Sequence, residues 1–170
     1  MSSILTRFIF GGDFGAMQTL GRMRQAVNQS LTDPVVIETA RSIVENAGCM
    51  GRDEPCKYAA IREWMEEHLQ FLPDPYGVEL LATPRYLLDQ IRTRQFVSGD
   101  CDDTAILGAA LGKAVGMKAR FVAMGFGRPG AAFKHVTTHL LVAGRWANLD
   151  TTRSQRFDPP APTRVQTLVV

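Results

Sequence analysis

No run in the sequence approaches the length that a membrane-spanning helix needs. The opening segment MSSILTRFIFGGDFGAM has too short an apolar part, and too little amino-terminal positive charge, for a signal peptide. A dominant charge is missing as well: nineteen Lys and Arg against seventeen Asp and Glu leave a net +2. No basic stripe is interleaved with aromatics, which argues against nucleic acid as a partner; Arg7, Arg22 and Arg24 are spread out and read as a solvated face. Cysteine is scarce. Cys49, Cys56 and Cys101 are odd in number, widely spaced and without zinc-finger spacing, so no disulfide framework or thiolate metal site is expected. That pattern favours a reducing compartment, with a Cys49–Cys56 bridge as the pairing left open. Internal repeats and low-complexity segments are absent. What remains is an ordinary globular composition, 45% hydrophobic and 21% charged over 170 residues, enough for one domain with a real core and too little for two. A soluble protein made in the cytoplasm is expected, unless a larger assembly carries it out.

Helical spacing dominates the first half. Met17, Leu20, Met23 and Val27 recur along residues 14–29, Asp33-Pro34 reads as a cap and first turn, and Gly48 stops a second helix. Residues 57–71 (KYAAIREWMEEHLQF) form a third, with Tyr58, Ile61, Met65 and Leu69 inward and Trp64 read as core. A short helix follows from Pro84. A fifth runs from Cys101 to Val115, with Asp100 as cap and Asp103 resembling the second half of a capping box; Gly116 closes it. KARFVAMGF and FKHVTTHLLV read as strands joined by the glycine-rich GRPGAA, and AGR turns the second strand into WANLDTT. Helices first, then one helix and an antiparallel sheet, give an α+β fold. The organisation expected is an arm at 1–12, one domain over 13–153 (helical part 13–92, core 93–153) and an extended proline-bearing tail at 154–170.

The chemistry-bearing stretch is SGDCDD, Ser98 to Asp103. A cysteine nucleophile needs its thiolate, a base and a group that orients the base. The helix amino terminus favours the thiolate of Cys101 by roughly 0.3–1 kcal/mol. Asp100, Asp102 and Asp103 oppose it by comparable amounts. Activation therefore requires a histidine. His135 and His139 share one face of a strand, and a hairpin turning at Ala143-Gly144 sets Asp150 opposite Thr137, diagonal to both. Geometry gives a His–Asp pair without choosing the histidine. His68, in EEHLQ, reads as solvated. Against this stand a buried structural Cys101, a metal site of the three aspartates with a histidine, and Asp150 as a plain turn residue. Capping accounts for two of the aspartates without a metal, and no cofactor is called for.

GDCDDTAILGAALGKAVGMKARFVAMG followed by HVTTHLLVAGRWANLDTT resembles the core of the transglutaminase-like superfamily, which shares the papain-like cysteine-protease architecture. In that pattern a cysteine opens a helix and a histidine strand is followed by a G-R-W-x-x-x-D return strand. Matching Gly144-Arg145-Trp146 in register implies Cys101, His135 and Asp150 as the catalytic group, with His139 secondary. Thr151 stands where the wider family commonly has proline. Gln95 has the spacing of the oxyanion glutamine in papain-like enzymes. LPDPYGVELLATPRYLL before GDCDD resembles the small phage- and prophage-encoded members. The resemblance implies a thiol enzyme acting on amide bonds of a protein or peptide, by hydrolysis or acyl transfer, or a virion structural or assembly protein whose partners are other phage structural proteins.

Overall fold

The structure is a computed structural model describing residues 4–7, 13–72, 79–152 and 160–170. Its helices are α1 (Asp13–Ser30), α2 (Pro34–Asn46), α3 (Glu54–His68), α4 (Pro84–Arg94) and α5 (Cys101–Ala114). The strands are β1 (Ile4–Arg7), β2 (Leu69–Phe71), β3 (Glu79–Ala82), β4 (Val97–Gly99), β5 (Ala119–Gly125), β6 (Phe133–Val142), β7 (Arg145–Asn148) and β8 (Arg164–Val169). The order is α+β: a helical half, then the central helix α5, then the sheet β7-β6-β5-β8, antiparallel throughout.

Local chemistry starts each of α2 to α5 in the same way. Asp33 accepts from Val35 N, Asp53 from Cys56 N, Thr83 from Tyr86 N and Asp100 from Asp102 N. Each bond satisfies an amide that the first helical turn leaves without a partner, and in three of the four a proline occupies that turn. α5 differs from the others in being buried on every side from Asp102 to Gly112. From Ala105 to Gly112 it is apolar all round, as a helix enclosed by other elements must be, and it packs against α1, α2, α3 and α4 as well as β5 and β6. Cys101 therefore begins the most constrained element of the molecule.

Several elements depart from the sequence reading. α3 stops at His68, and Leu69–Phe71 turns into β2, parallel to β4. Leu69 continues the helical spacing of Ile61 and Met65 while also alternating with Phe71 as in a strand, so periodicity did not mark the end of the helix. Met17 is 40% exposed, whereas Leu20, Met23 and Val27 are buried. Residues 4–7 of the opening arm pair antiparallel with β3, and residues 164–169 of the tail form β8 along β5; the rest of both segments, 1–3, 8–12 and 153–159, lies outside the described residues. Cys49 and Cys56 are joined as a disulfide. The loop after α2 folds back so that their Cα atoms stand 5.5 Å apart, a separation that spacing does not reveal. The bridge removes the ground for a reducing compartment, because disulfides persist where thiols are not kept reduced. Among the described residues no helix is long and apolar enough to cross a membrane.

Candidate active site

Cys101, which is outside the disulfide, is partly exposed at the first position of α5. Asp100 fixes that helix end twice. Its carboxylate accepts from Asp102 N at 3.1 Å and Asp103 N at 3.5 Å, and its carbonyl accepts from Thr104 N at 3.2 Å and Thr104 Oγ1 at 2.8 Å. Asp102 Oδ1 accepts from Asp103 N at 2.8 Å. Asp103 turns to another element, accepting from Ala82 N at 2.8 Å and so tying the start of α5 to the end of β3. Ligand atoms of Asp100, Asp102 and Asp103 lie within 4.8 Å of one another. This is the acidic group that could chelate a cation, yet backbone N–H groups engage all three carboxylates, and no histidine belongs to the group.

The histidine strand is set against α5 by small residues. Thr138 Oγ1 donates to Ala105 O at 2.6 Å. A Cβ on Gly108 would lie 2.9 Å from Leu149 Cδ2, and one on Gly112 would lie 2.6 Å from Leu140 Cδ2. A side chain at Gly112 would press on Leu140 of β6, and one at Gly108 on Leu149 just past β7. β6 then turns at Ala143 (φ 48°) and Gly144 (φ 79°) into β7. Two left-handed residues suit a two-residue hairpin that follows the strand twist. His139 pairs with Asn148, and Thr137 Oγ1 donates to Asn148 Oδ1 at 2.8 Å. Glu54 Oε2 accepts from Ala143 N at 2.7 Å, and Tyr58 OH donates to Asn148 O, so α3 holds both ends of β7.

Just beyond β7, Asp150 Oδ2 is 2.7 Å from His135 Nε2. The two side chains are 3% and 4% exposed, respectively. An ionised carboxylate only accepts, so the Nε2 atom carries the proton and Nδ1 is the ring nitrogen with the lone pair. Asp150 Oδ1 accepts from Thr152 N at 3.0 Å and Thr152 Oγ1 at 2.6 Å. Burial pushes the Asp150 carboxyl up. The hydrogen bond from His135, the two from Thr152 and attraction to His135 together outweigh it and hold the group below the usual carboxylate value.

His135 and Cys101 line one cleft of about 360 Å³, together with Asp100 and Asp102 and with apolar walls from α1 (Leu20, Met23). The other predicted residues fall elsewhere. His139 sits beside Arg120, whose Nη2 is 3.4 Å from His139 Nδ1 and whose guanidinium lies 4.6 Å over the Trp146 ring. Burial and the Arg120 charge push His139 down to about 4 despite the attraction of Asp150, so it is a neutral neighbour of the pair. Gln95 ends α4 in a left-handed conformation (φ 67°); it is exposed and does not line the cleft. The six residues from Gln95 to Cys101 include the turn out of α4 and the strand β4. His68 is not simply solvated: it stacks on Trp64 at 4.5 Å and its Nδ1 is 2.8 Å from Trp64 O. A larger cavity of about 510 Å³ between α2 and α3 is lined by Trp64, Glu38, Glu63 and Glu67, with no cysteine or histidine. Thr152 is the contact that sequence reasoning passed over. Its signal was an aspartate followed two residues later by threonine, the spacing of a local side-chain turn.

A thiol opening a central helix, across one cleft from a His–Asp pair on an antiparallel sheet, is the arrangement of a papain-like cysteine fold. The sequence profile of the transglutaminase-like superfamily matches residues 38–151, more than half of the chain, and the chain belongs to that superfamily. Among solved structures it is similar to a candidate protease from Parabacteroides distasonis, with a TM-score of 0.59 and 15% identity over 89% of this chain and 28% of that one. It is also similar to a candidate cysteine protease from Cytophaga hutchinsonii, with a TM-score of 0.42 and 21% identity over 67% of this chain and 38% of that one. The chain thus spans well under half the length of either. A comparison with curated proteins finds no match.

Proposed function

We propose that the chain acts on amide bonds of a protein or peptide through a thioester on Cys101, with His135 as base and Asp150 as its orienter. The observation that carries this reading is the 2.7 Å bond from His135 Nε2 to Asp150 Oδ2, on the wall of the cleft that Cys101 lines. His135 Nδ1 takes the thiol proton, and the sulfur attacks the carbonyl carbon. The C–N bond breaks, and the amine leaves with that proton. Water, deprotonated at the same nitrogen, then attacks the thioester to release a carboxylic acid and restore the thiol; an amine in place of water forms a new amide. The backbone N–H of Cys101 is the natural first donor for the tetrahedral oxyanion, because the next two amides of α5 are engaged by Asp100 and Asp102. The aspartates around Cys101 oppose the thiolate, so the imidazolium must supply the activation.

The test is alkylation of Cys101 by iodoacetamide across pH 5–9 without reductant, which leaves the Cys49–Cys56 bridge intact. Labelling should exceed that of an ordinary thiol below pH 7, and His135→Ala should slow it at least about tenfold. A rate and pH dependence equal to those of free cysteine would remove the catalytic reading. The alternative is a non-catalytic virion structural or assembly module of phage origin. It rests on the resemblance of the segment before Cys101 to phage-encoded members, and predicts that inert outcome.

A further inference from the structure

We propose that Thr152 is a positioning residue that sets the ionisation and orientation of Asp150, and through it the base strength of His135. This rests on the Cys–His–Asp reading above. A carboxylate in this place has two oxygens to satisfy and little water: the Asp150 side chain is 3% exposed, and Thr152 is buried as well. Thr152 gives both of its donors, N–H at 3.0 Å and Oγ1–H at 2.6 Å, to the same oxygen, Oδ1. That assignment leaves Oδ2 for His135 Nε2 at 2.7 Å. Rotation of the carboxyl group about its Cβ–Cγ bond would break both Thr152 bonds at once, so the plane of Asp150, and with it the imidazole, is fixed from behind. The two bonds also favour the ionised form in a site where burial disfavours it. A neutral Asp150 could not stabilise the imidazolium that accompanies the Cys101 thiolate. Thr152 touches Asp150 and not the reacting atoms, so its effect should be seen in the pH profile.

Thr152→Val keeps the volume and the backbone donor while removing the hydroxyl. In the iodoacetamide assay on the whole chain, the rate on the acid limb should fall by up to about tenfold, the scale of a lost hydrogen bond to a charged group. The plateau should also narrow, its acid limb moving up and its alkaline limb down. Thr152→Ser, which retains the donor, should restore wild-type width. If Thr152→Val does not fold, Thr152→Ala carries the same loss with no added bulk. A Val or Ala variant whose profile superimposes on the wild type, or a Ser variant that behaves like Val, overturns the proposal. His135→Ala is run alongside: labelling at the wild-type rate there defeats the catalytic reading itself. A slow His135→Ala beside an unchanged Thr152→Val defeats only the role of Thr152.

Discussion

Leu140 lies directly against the backbone of Gly112, so close that a Cβ at 112 would come within 2.6 Å of Leu140 Cδ2 and 3.0 Å of its Cδ1. The contact joins the thiol helix to the histidine strand, five residues along β6 from His135. Leu140 is fully buried, so swinging it aside would press it on other core side chains. Two effects compete in Gly112→Ala. Replacing a helical glycine gains up to about 1 kcal/mol in helix propensity, less in a last turn such as that of Gly112, and overpacking costs about 1–3 kcal/mol. With both Leu140 methyls in the way, overpacking wins, and the urea midpoint should fall. Gly21 in α1 supplies the control, since nothing lies within 4 Å of its Cβ position. Gly21→Ala should raise the midpoint. Equal shifts in the two variants would mean that α5 and β6 are not in this register.

His139 predicts an acid-sensitive stability. Its folded value is about 4 against the ordinary 6.5, so between these pH values the unfolded chain binds more protons than the folded one. The sign follows from linkage: stability is at its full value above about pH 6.5 and falls as pH drops toward 4. The groups responsible are the burial of the ring and Arg120, with Asp150 acting the other way. Loss of the Asp150 contribution belongs to lower pH, because its folded value is depressed below 3.8. Denaturation midpoints from pH 4 to 7 should therefore decline less steeply toward acid in His139→Gln than in the wild type. Parallel curves would show that His139 does not titrate against Arg120.

The Cys49–Cys56 bridge closes a loop of seven residues' separation between α2 and α3. Chain entropy assigns such a loop about 2–3 kcal/mol, or about 5–10 °C in a domain of this size. Thermal melts with and without a dithiol reductant should differ by that amount, and Cys56→Ser should match the reduced wild type. The start of α3 also holds the β6–β7 hairpin, through Glu54 on Ala143 N. A melt insensitive to reductant in the wild type would place the two thiols apart in solution.

The helices and the β5–β6–β7 meander were legible because their signals are local: caps with proline in the first turn, a run apolar all round, and an Ala-Gly turn that sets a register. That register put Asp150 diagonal to both histidines, and local reasoning stopped there. What separates His135 from His139 is not on their strand. Arg120 occupies the face of His139 from β5, while Thr152 turns Asp150 toward His135. Both are contacts between residues distant in sequence or placed in a loop. The same limit hid β2 and β4, three residues each, whose parallel pairing joins segments 28 residues apart, and β8, where prolines at 159, 160 and 162 point to an extended tail and Val165 and Val169 are exposed, leaving no inward apolar alternation to read. For Gln95 the limit was a converse one: six-residue spacing does not show the left-handed helix end at which the residue sits exposed.

Asp103 should have opposite effects on stability and on the thiol. Its carboxylate accepts from the buried Ala82 N–H at 2.8 Å, anchoring α5 to β3, and its charge lies two residues from Cys101. Asp103→Asn keeps an acceptor of the same shape but weakens a charge-assisted bond, which should cost about 1 kcal/mol. Removing a negative charge beside a developing thiolate works the other way and favours ionisation of Cys101. The expected outcome is a lower urea midpoint together with an acid limb of Cys101 alkylation displaced to lower pH by a few tenths of a unit. Asp103→Ala separates the two causes: it removes the same charge but leaves the Ala82 donor unsatisfied, so it should shift the alkylation limb similarly while costing about 1–3 kcal/mol. An alkylation limb that moves to higher pH in Asp103→Asn would show that Asp103 supports the thiolate, and the aspartates around Cys101 would then be part of its activation.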